Sequence, residues 1–364
     1  MDSSTAGSAS PLRHIAQHVR KLPIVDHSIE WSSLLWGALT HLIRGKTPKR
    51  AHLALINLFV LTRGRANDFM SSMLSIAHPP YSFPDTSGVL GEFTTNDFLK
   101  IQSQLETLGY VVFERCLPPE FCEGIVRRSL EAECLLAGDE YAAGTEKIYG
   151  RYNRNDPRAA WYILAEDDVT DVPEIQELLC DASLLSVAQN YLQAKPIFSG
   201  IGLTWSPAVK SIPDSKAAQE FHWDMERIRW LRFFVYLTDV TKDNGPHCFI
   251  KGSHRSNAIP DAILKQGYVR QKDETMLDVY GRDAYCEFVG KRGTIIAEDS
   301  RGFHKGLAPR SGDRLLLAFE LSNSTFGANK RHLIRNVHVP RFREFAKKYP
   351  RIYANFDFAD GVLK

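Results

Sequence analysis

His222 and Asp224 stand two apart in QEFHWDMER. In an extended segment both side chains leave the same face, with their Cα atoms roughly 6–7 Å apart. An imidazole and a carboxylate so placed can converge on one cation at about 2.0–2.2 Å. A third ligand has to come from elsewhere, and His304 in EDSRGFHKG follows just after the strand-like GTIIAE. Two histidines and one carboxylate with open positions opposite form the facial set used for non-haem Fe(II). An HxD pair alone is weak evidence, because the same spacing arises by chance. Beyond His304, across LAPRSGD, Arg314 opens RLLLAFELS. A strand, a turn and a returning strand would set its guanidinium near His304 but one strand over. There its rigid fork could grip a carboxylate in bidentate fashion. Arg310 is the nearby rival, but it sits in the turn and reads as solvated.

The run 230–237 alternates. Trp230, Arg232, Phe234 and Tyr236 share one face, and Leu231, Phe233, Val235 and Leu237 share the other. Aromatics interleaved with an arginine and a tyrosine suit a polar-lined cavity, with a packed face and snorkelling ends as the alternative. Asn244, Gly245, Gly252 and Ser253 read as hairpin residues after YLTDV. His254 in GSHR reads as a turn-packing residue. His247 could face either a site or solvent, and Asp299 suits a turn or the support of a ligand better than ligation.

These residues need strands to carry them. Short β-rich runs (PIFSGIGLTWS, IRWLRFFVYLTDV, GTIIAE, RLLLAFELS) are punctuated by DNG, KGSH, KRG, SRG and SGD. That texture indicates an antiparallel sandwich or barrel. Upstream, Thr95 or Asn96 can cap a helix to Leu108, Gly109 stops it, and YVVF is a strand. A helix is expected from LPPEF to about Leu136, and another over 172–192. Trp31, Leu34, Leu35, Ala38, Leu39 and Leu42 repeat with helical spacing, which predicts one buried face on a helix from about Ile29 to Ile43. A second helix is expected from about Pro48 to Ser72, and HPPYSFPDTSG (78–88) reads as a linker.

The chain has 364 residues, 44% of them hydrophobic and 24% charged, which is globular composition and excludes a disordered chain. Its net charge of +2 lacks the excess of a general nucleic-acid binder. Residues 1–75 nevertheless hold nine Lys/Arg against four Asp/Glu, a local +5. Peripheral membrane contact and a packed or dimerising helical layer are both open to them, the packed layer being the plainer reading. The longest apolar run, Leu53–Leu61, is far short of a spanning helix, and no secretory signal is evident. The polar tip MDSSTAGSAS is expected to fray. Six scattered cysteines without a CxxC pair suggest a reduced cytoplasmic location.

Taken in order, His222-x-Asp224, FFVYLTDVTKDNGPHCFIKGSHR, GTIIAEDSRGFHKG and GDRLLLAFEL resemble the phytanoyl-CoA dioxygenase family, as does the lead-in ETLGYVVFERCLPPEFCEGI. The resemblance covers roughly residues 95–325. It implies an α+β fold: a double-stranded β-helix (jelly-roll, cupin-like) core flanked by helices, with an N-terminal helical extension. It divides the chain into an extension and linker (1–90), an oxygenase domain (91–330) and a C-terminal helical tail (331–364). It implies that His222, Asp224 and His304 ligate Fe(II) and are the catalytic centre, and that Arg314 binds the distal carboxylate of 2-oxoglutarate, with O2 as the further co-substrate. Phe234 and Tyr236 are candidate co-substrate contacts.

Two positions depart from the family pattern. Gly306 stands where some members carry a hydroxyl residue, and Phe234 where some carry a tryptophan. The retained Asp224 favours hydroxylation over halogenation, in which chloride takes the carboxylate's place. The expected activity is oxidation of a C–H bond in a small-molecule or lipid-like substrate, with release of succinate and CO2. The basic, amphipathic N-terminus tilts the substrate toward a hydrophobic or membrane-proximal one. A catalytically silent scaffold on the same fold is the alternative, although such members usually lose a ligand; a metallohydrolase would leave Arg314 without a role. Substrate identity and oligomeric state are not readable at this stage.

Overall fold

The computed structural model describes residues 27–361 apart from 139–140, 142–145, 210–213, 215–216, 267–268 and 328–330. The expected frayed tip at 1–10 lies outside the described residues. Three helices come first: α1 (His27–Arg44), α2 (Lys49–Thr62) and α3 (Arg65–Ala77). The single helix expected over 48–72 is therefore two. Arg63 and Gly64 both take left-handed backbone angles, and their N–H groups close the last turn of α2. Next come α4 (Thr95–Leu108), β1 (Tyr110–Phe113), α5 (Pro119–Glu131), β2 (Glu133–Ala137), β3 (Tyr149–Arg151) and β4 (Trp161–Leu164). Thr94, one residue before the expected caps, closes a capping box with Asp97. ECLLA, expected as the end of a helix, is instead strand β2 and pairs with β3 and β4. The helix expected over 172–192 is split by Cys180 and Asp181. Asp181 caps the second half by accepting from the Leu184 N–H.

After α6 (Glu166–Thr170), α7 (Pro173–Leu179) and α8 (Ala182–Leu192) the chain becomes mainly β. The strands are β5 (Ile197–Pro207), β6 (Trp230–Tyr236), β7 (His247–Ile250), β8 (Tyr285–Phe288), β9 (Ile295–Glu298), β10 (His304–Gly306) and β11 (Asp313–Ser322). Helices α9 (Asp261–Leu264) and α10 (Asp273–Tyr280) interrupt them. The C-terminal part contributes β12 (His332–Ile334), α11 (Pro340–Lys348) and β13 (Phe356–Phe358).

The large sheet runs β1-β9-β6-β11-β5-β4-β2-β3, and a small sheet runs β10-β7-β8. Together they form the jelly roll. The large sheet is covered on both faces, and alternation along its strands shows how. Leu231, Phe233 and Val235 of β6, with Leu315, Leu317 and Phe319 of β11, join the main apolar core under the helices. Phe234, Tyr236 and Ile296 point the other way, toward Phe249 and Phe288 of the small sheet.

The segment 78–88 has almost no regular structure, yet Tyr81 and Phe83 pack edge-on against Tyr349. Helix α2 buries one broad face, Ala51 to Phe59. Its Ile56 and Phe59 pack with Phe221, Trp223 and Met225, and its Leu55 and Leu58 share a cluster with Ile228 and Phe326. The N-terminal helices thus press directly on the segment that carries His222 and Asp224. Asn67 adds hydrogen bonds to the carbonyls of Arg227 and Ile228.

His52 of α2 is buried, and its pKa is pushed down to about 4, chiefly by that burial and further by Arg227. The unfolded chain takes up this proton near pH 6.5, whereas the folded chain resists until about 4. Below pH 6.5 the unfolded state binds more protons, so this contribution to stability falls as the pH falls. Burial raises Glu226 to about 7 and Glu298 to about 8, which acts in the opposite direction. The His52→Gln difference isolates the histidine. Between about pH 6.5 and about pH 4 the variant should lose stability less steeply than the wild type, by on the order of 2–3 kcal/mol. Urea midpoints measured across that window test this, and parallel slopes would contradict it.

Candidate metal centre

His222, Asp224 and His304 come together. One ligand atom from each lies within 4.8 Å of the others, and all three residues are buried. Segment 222–224 runs antiparallel beside β10, with reciprocal backbone bonds between His222 and His304 and a bond from Asp224 N–H to Ser300 O. The expected extended conformation holds, and it aims both side chains at the small sheet's third ligand candidate. Nδ1 of His222 lies 3.0 Å from Glu220 O, and Nδ1 of His304 lies 2.9 Å from Gly302 O. A carbonyl only accepts, so each Nδ1 carries the proton and each Nε2 keeps its lone pair. Burial lowers the pKa of both rings, His222 far below its ordinary value with His304 adding to the effect. Both imidazoles are neutral near pH 7, the form that ligates a metal.

Arg232, from the interior face of β6, places Nη1 2.9 Å from Asp224 Oδ2 and Nη2 2.7 Å from Glu320 Oε2. Glu320 also receives Arg227 at 3.2 Å and the Ser199 hydroxyl at 2.5 Å. Burial would lower the pKa of Arg232, but Asp224 and Glu320 outweigh it and raise it. Glu320 is held at about 2, because Arg227 and Arg232 overcome its desolvation. The sequence reading placed Arg232 on the cavity face but gave it no partner. Its partner Glu320 lies 88 residues away, and only the β6–β11 register brings the two opposite. Replacing Arg232 by Met should cost the metal-free protein about 3 kcal/mol, because Asp224 loses its buried counter-charge and Glu320 keeps only Arg227. Chemical denaturation checks this, and a change below about 0.5 kcal/mol would contradict it.

His247, left open by the sequence, faces inward. Its Nε2 shares a 2.8 Å hydrogen bond with Glu298 Oε2, and its ring lies 4.2 Å from that of Phe234. Asp299 is a turn residue. It is buried, grips the Arg301 guanidinium and accepts from the Tyr191 hydroxyl at 2.5 Å. His254 is buried on the same side, next to Gly109 and Phe249. The Tyr236 hydroxyl donates to Phe288 O at 2.7 Å and accepts from His247 N–H at 3.0 Å, so its polar end is already satisfied within the protein.

Arg314 lies across the interior from His304 and not on a neighbouring strand. β10 pairs with β7 in the small sheet, whereas β11 lies between β5 and β6 in the large one. The guanidinium is buried and donates to Gly245 O. Its Nε has no hydrogen-bond partner, and no carboxylate pairs with it among the described residues. Burial lowers its pKa. A side chain at Gly306 would have its Cβ 2.7 Å from Arg314 Nη2, so the glycine makes the room the guanidinium occupies. Gly306 and His304 lie on one face of β10, roughly 6–7 Å apart at Cα. Arg310, the rival, is exposed.

Two neutral imidazoles and a carboxylate fit a divalent transition metal. A buried cation without an acidic partner fits an incoming carboxylate. A jelly roll that presents an HxD pair and a distal histidine from its small sheet, with an arginine opposite, defines a class of metal-dependent oxygenase folds. The phytanoyl-CoA dioxygenase (PhyH) signature matches residues 105–315, more than half of the chain, and the chain belongs to that family.

Ectoine dioxygenase of Sphingopyxis alaskensis is 27% identical over 217 residues, which is 54% of this chain and 66% of that relative, just under two thirds of its length. Among solved structures, EctD from S. alaskensis with bound Fe aligns at a TM-score of 0.45 and 18% identity, covering 73% of this chain and 89% of that one. The epimerase SnoN from nogalamycin biosynthesis aligns at 0.45 and 14%, covering 63% and 84%. HygX from Streptomyces hygroscopicus, with nickel, 2-oxoglutarate and hygromycin B bound, aligns at 0.44 and 15%, covering 66% and 90%.

Proposed function

We propose that this chain is an Fe(II)- and 2-oxoglutarate-dependent dioxygenase that hydroxylates a C–H bond of a small molecule, releasing succinate and CO2. The observation that carries the reading is the pairing of a three-ligand cluster with a buried arginine that has no acidic partner among the described residues. When bound, iron with 2-oxoglutarate and O2 supplies an oxidant strong enough for C–H chemistry.

The protein's own part is positional. His222 and His304 would offer Nε2, their tautomers fixed by the two carbonyls. Asp224 would be the third ligand, braced from behind by Arg232. Arg314 would hold the distal carboxylate of the co-substrate, and the covered interior keeps bulk water from the bound groups. Phe234 and His247 would line the space between Arg314 and the ligand cluster. Tyr236 would shape that space through its ring, since its hydroxyl is already bonded.

The surroundings of Asp224 are charged, with Arg232, Glu320, Arg227 and Glu226 close together. This favours a substrate with a polar group near the carbon oxidised. It weighs against a wholly hydrophobic substrate. The six free thiols suit a reducing compartment such as the cytoplasm. The oxygenase unit is read as 91–330, with the N-terminal helices as a buttress and 331–364 as a C-terminal extension.

Anaerobic titration with Fe(II) and then with 2-oxoglutarate tests the reading. One metal per chain is expected, with tighter 2-oxoglutarate binding once metal is present, and slow succinate release on admitting O2. A folded protein that binds neither would be a scaffold, and the reading would fall.

A further inference from the structure

The apolar stripe of α1 does not face one way. Leu34 and Gly37 are buried, and Trp31 and Ala38 are half-buried. Leu35, Trp36, Leu39, Leu42 and Ile43 are 58–81% exposed. Besides Arg44 at its end and the histidines His27 and His41, the helix has one ionisable side chain, Glu30, and that is buried beneath a two-pronged bond from Arg50. His41 is half-buried, bonds Thr325 and Thr47, and has its pKa lowered by burial, so the outward face of α1 between Ser28 and Ile43 presents Leu, Ile, Trp, Ser and Thr and no charge. Helix α3 extends this face, with Phe69, Met73 and Ile76 repeating along one side at 54–77% exposure. Trp31 and Phe69 join the two helices edge to face at 6.4 Å. A continuous uncharged apolar surface of this extent is unusual for a face left in water.

Cations bracket it. Arg44, Lys46 and Lys49 are exposed at the α1–α2 turn, and Arg65 is exposed at the start of α3, one turn before the Phe69 that meets Trp31. Among the described residues none of the four pairs with an acid across the fold. The two acids of residues 27–77 are committed elsewhere, Glu30 to Arg50 and Asp68 to Arg301. An apolar face with an indole, rimmed by unanswered cations, matches an anionic interface, where the apolar side chains enter the acyl boundary and the cations meet phosphate. A second copy fits less well. Two such faces related by a two-fold axis would oppose cations to cations with no acid to answer them.

We infer that the outer face of α1 and α3 docks on an anionic lipid bilayer surface. This does not depend on the reading of the metal centre, since none of the residues involved touches it.

Sedimentation of the full chain with phosphatidylcholine vesicles, with and without phosphatidylserine, tests it. The wild type should move to the phosphatidylserine vesicles and be released by high salt. Leu39→Glu/Leu42→Glu should weaken partitioning about tenfold or more per leucine lost. Lys46→Glu/Lys49→Glu should weaken it several-fold per charge. All four side chains are exposed, and unchanged thermal unfolding would show that the variants fold. Wild-type protein left in the supernatant, or equal binding to both vesicle types, overturns the inference. So does a concentration-dependent dimer in light scattering that Leu39→Glu/Leu42→Glu turns to monomer, which would assign the face to a second copy.

Discussion

Asp224→Ala is expected to abolish succinate release, a larger loss than the roughly 10–100-fold that removing a residue behind a metal ligand costs. The carboxylate is the one anionic group of the cluster, and neither histidine can replace it, because both are held neutral by burial. The mutation also releases Arg232, which then faces the vacated position with its positive charge and repels an incoming cation. Metal binding should therefore weaken together with turnover. Asp224→Glu should recover part of the binding, because the charge returns on a longer arm while the backbone bond to Ser300 stays. Turnover equal to the wild type in the alanine variant would sink the proposed role of the cluster.

Arg314→Met is expected to weaken 2-oxoglutarate binding by about a hundredfold or more, the usual cost of removing one partner from a buried charge pair. Its effect on folding should have the opposite sign. Without ligand, the guanidinium is a buried cation with no acidic partner among the described residues, and burial already depresses its pKa. Replacing it by an apolar side chain of similar length should leave the free protein as stable as the wild type, or more stable by on the order of 1–3 kcal/mol. A residue that supports only the fold would lose stability on substitution. Isothermal titration paired with chemical denaturation therefore separates the two roles. Lost stability with unchanged 2-oxoglutarate affinity would remove Arg314 from the site.

Much of the site was legible because its residues lie in short motifs. His222 and Asp224 declare themselves by a spacing of two, and the alternation over 230–237 assigns each side chain to the correct face of β6. Helix α4, its glycine stop and β1 follow from local rules that tertiary contacts do not override. Pairing over long separations was not legible. The Arg232–Glu320 contact depends on strand register, and so does the placement of Arg314 opposite His304, where simple chain succession suggested an adjacent strand. The remaining misses are local competitions. ECLLA could extend α5 or form a strand, and the pairing with β3 and β4 decides. Gly64 breaks an otherwise helical run because its left-handed angle lets the chain reverse. The stripe of α1 showed that the helix is amphipathic, but it mixed residues that pack on α2 with others that face outward.

The sheet order also has a consequence for how the chain is made. β11 lies between β5 and β6, yet it is the last strand of the large sheet to be synthesised. Until residue 322 has left the ribosome, β5 and β6 each present an unsatisfied edge, and the two central strands of the jelly roll have nothing to bridge them. β1 waits likewise for β9, whose register begins at Tyr110 with Glu298. The central pairing of the large sheet is thus made late, with high contact order and a slow approach to the native state. A premature stop anywhere before β11 would leave an aggregation-prone half-sheet and no partly working enzyme.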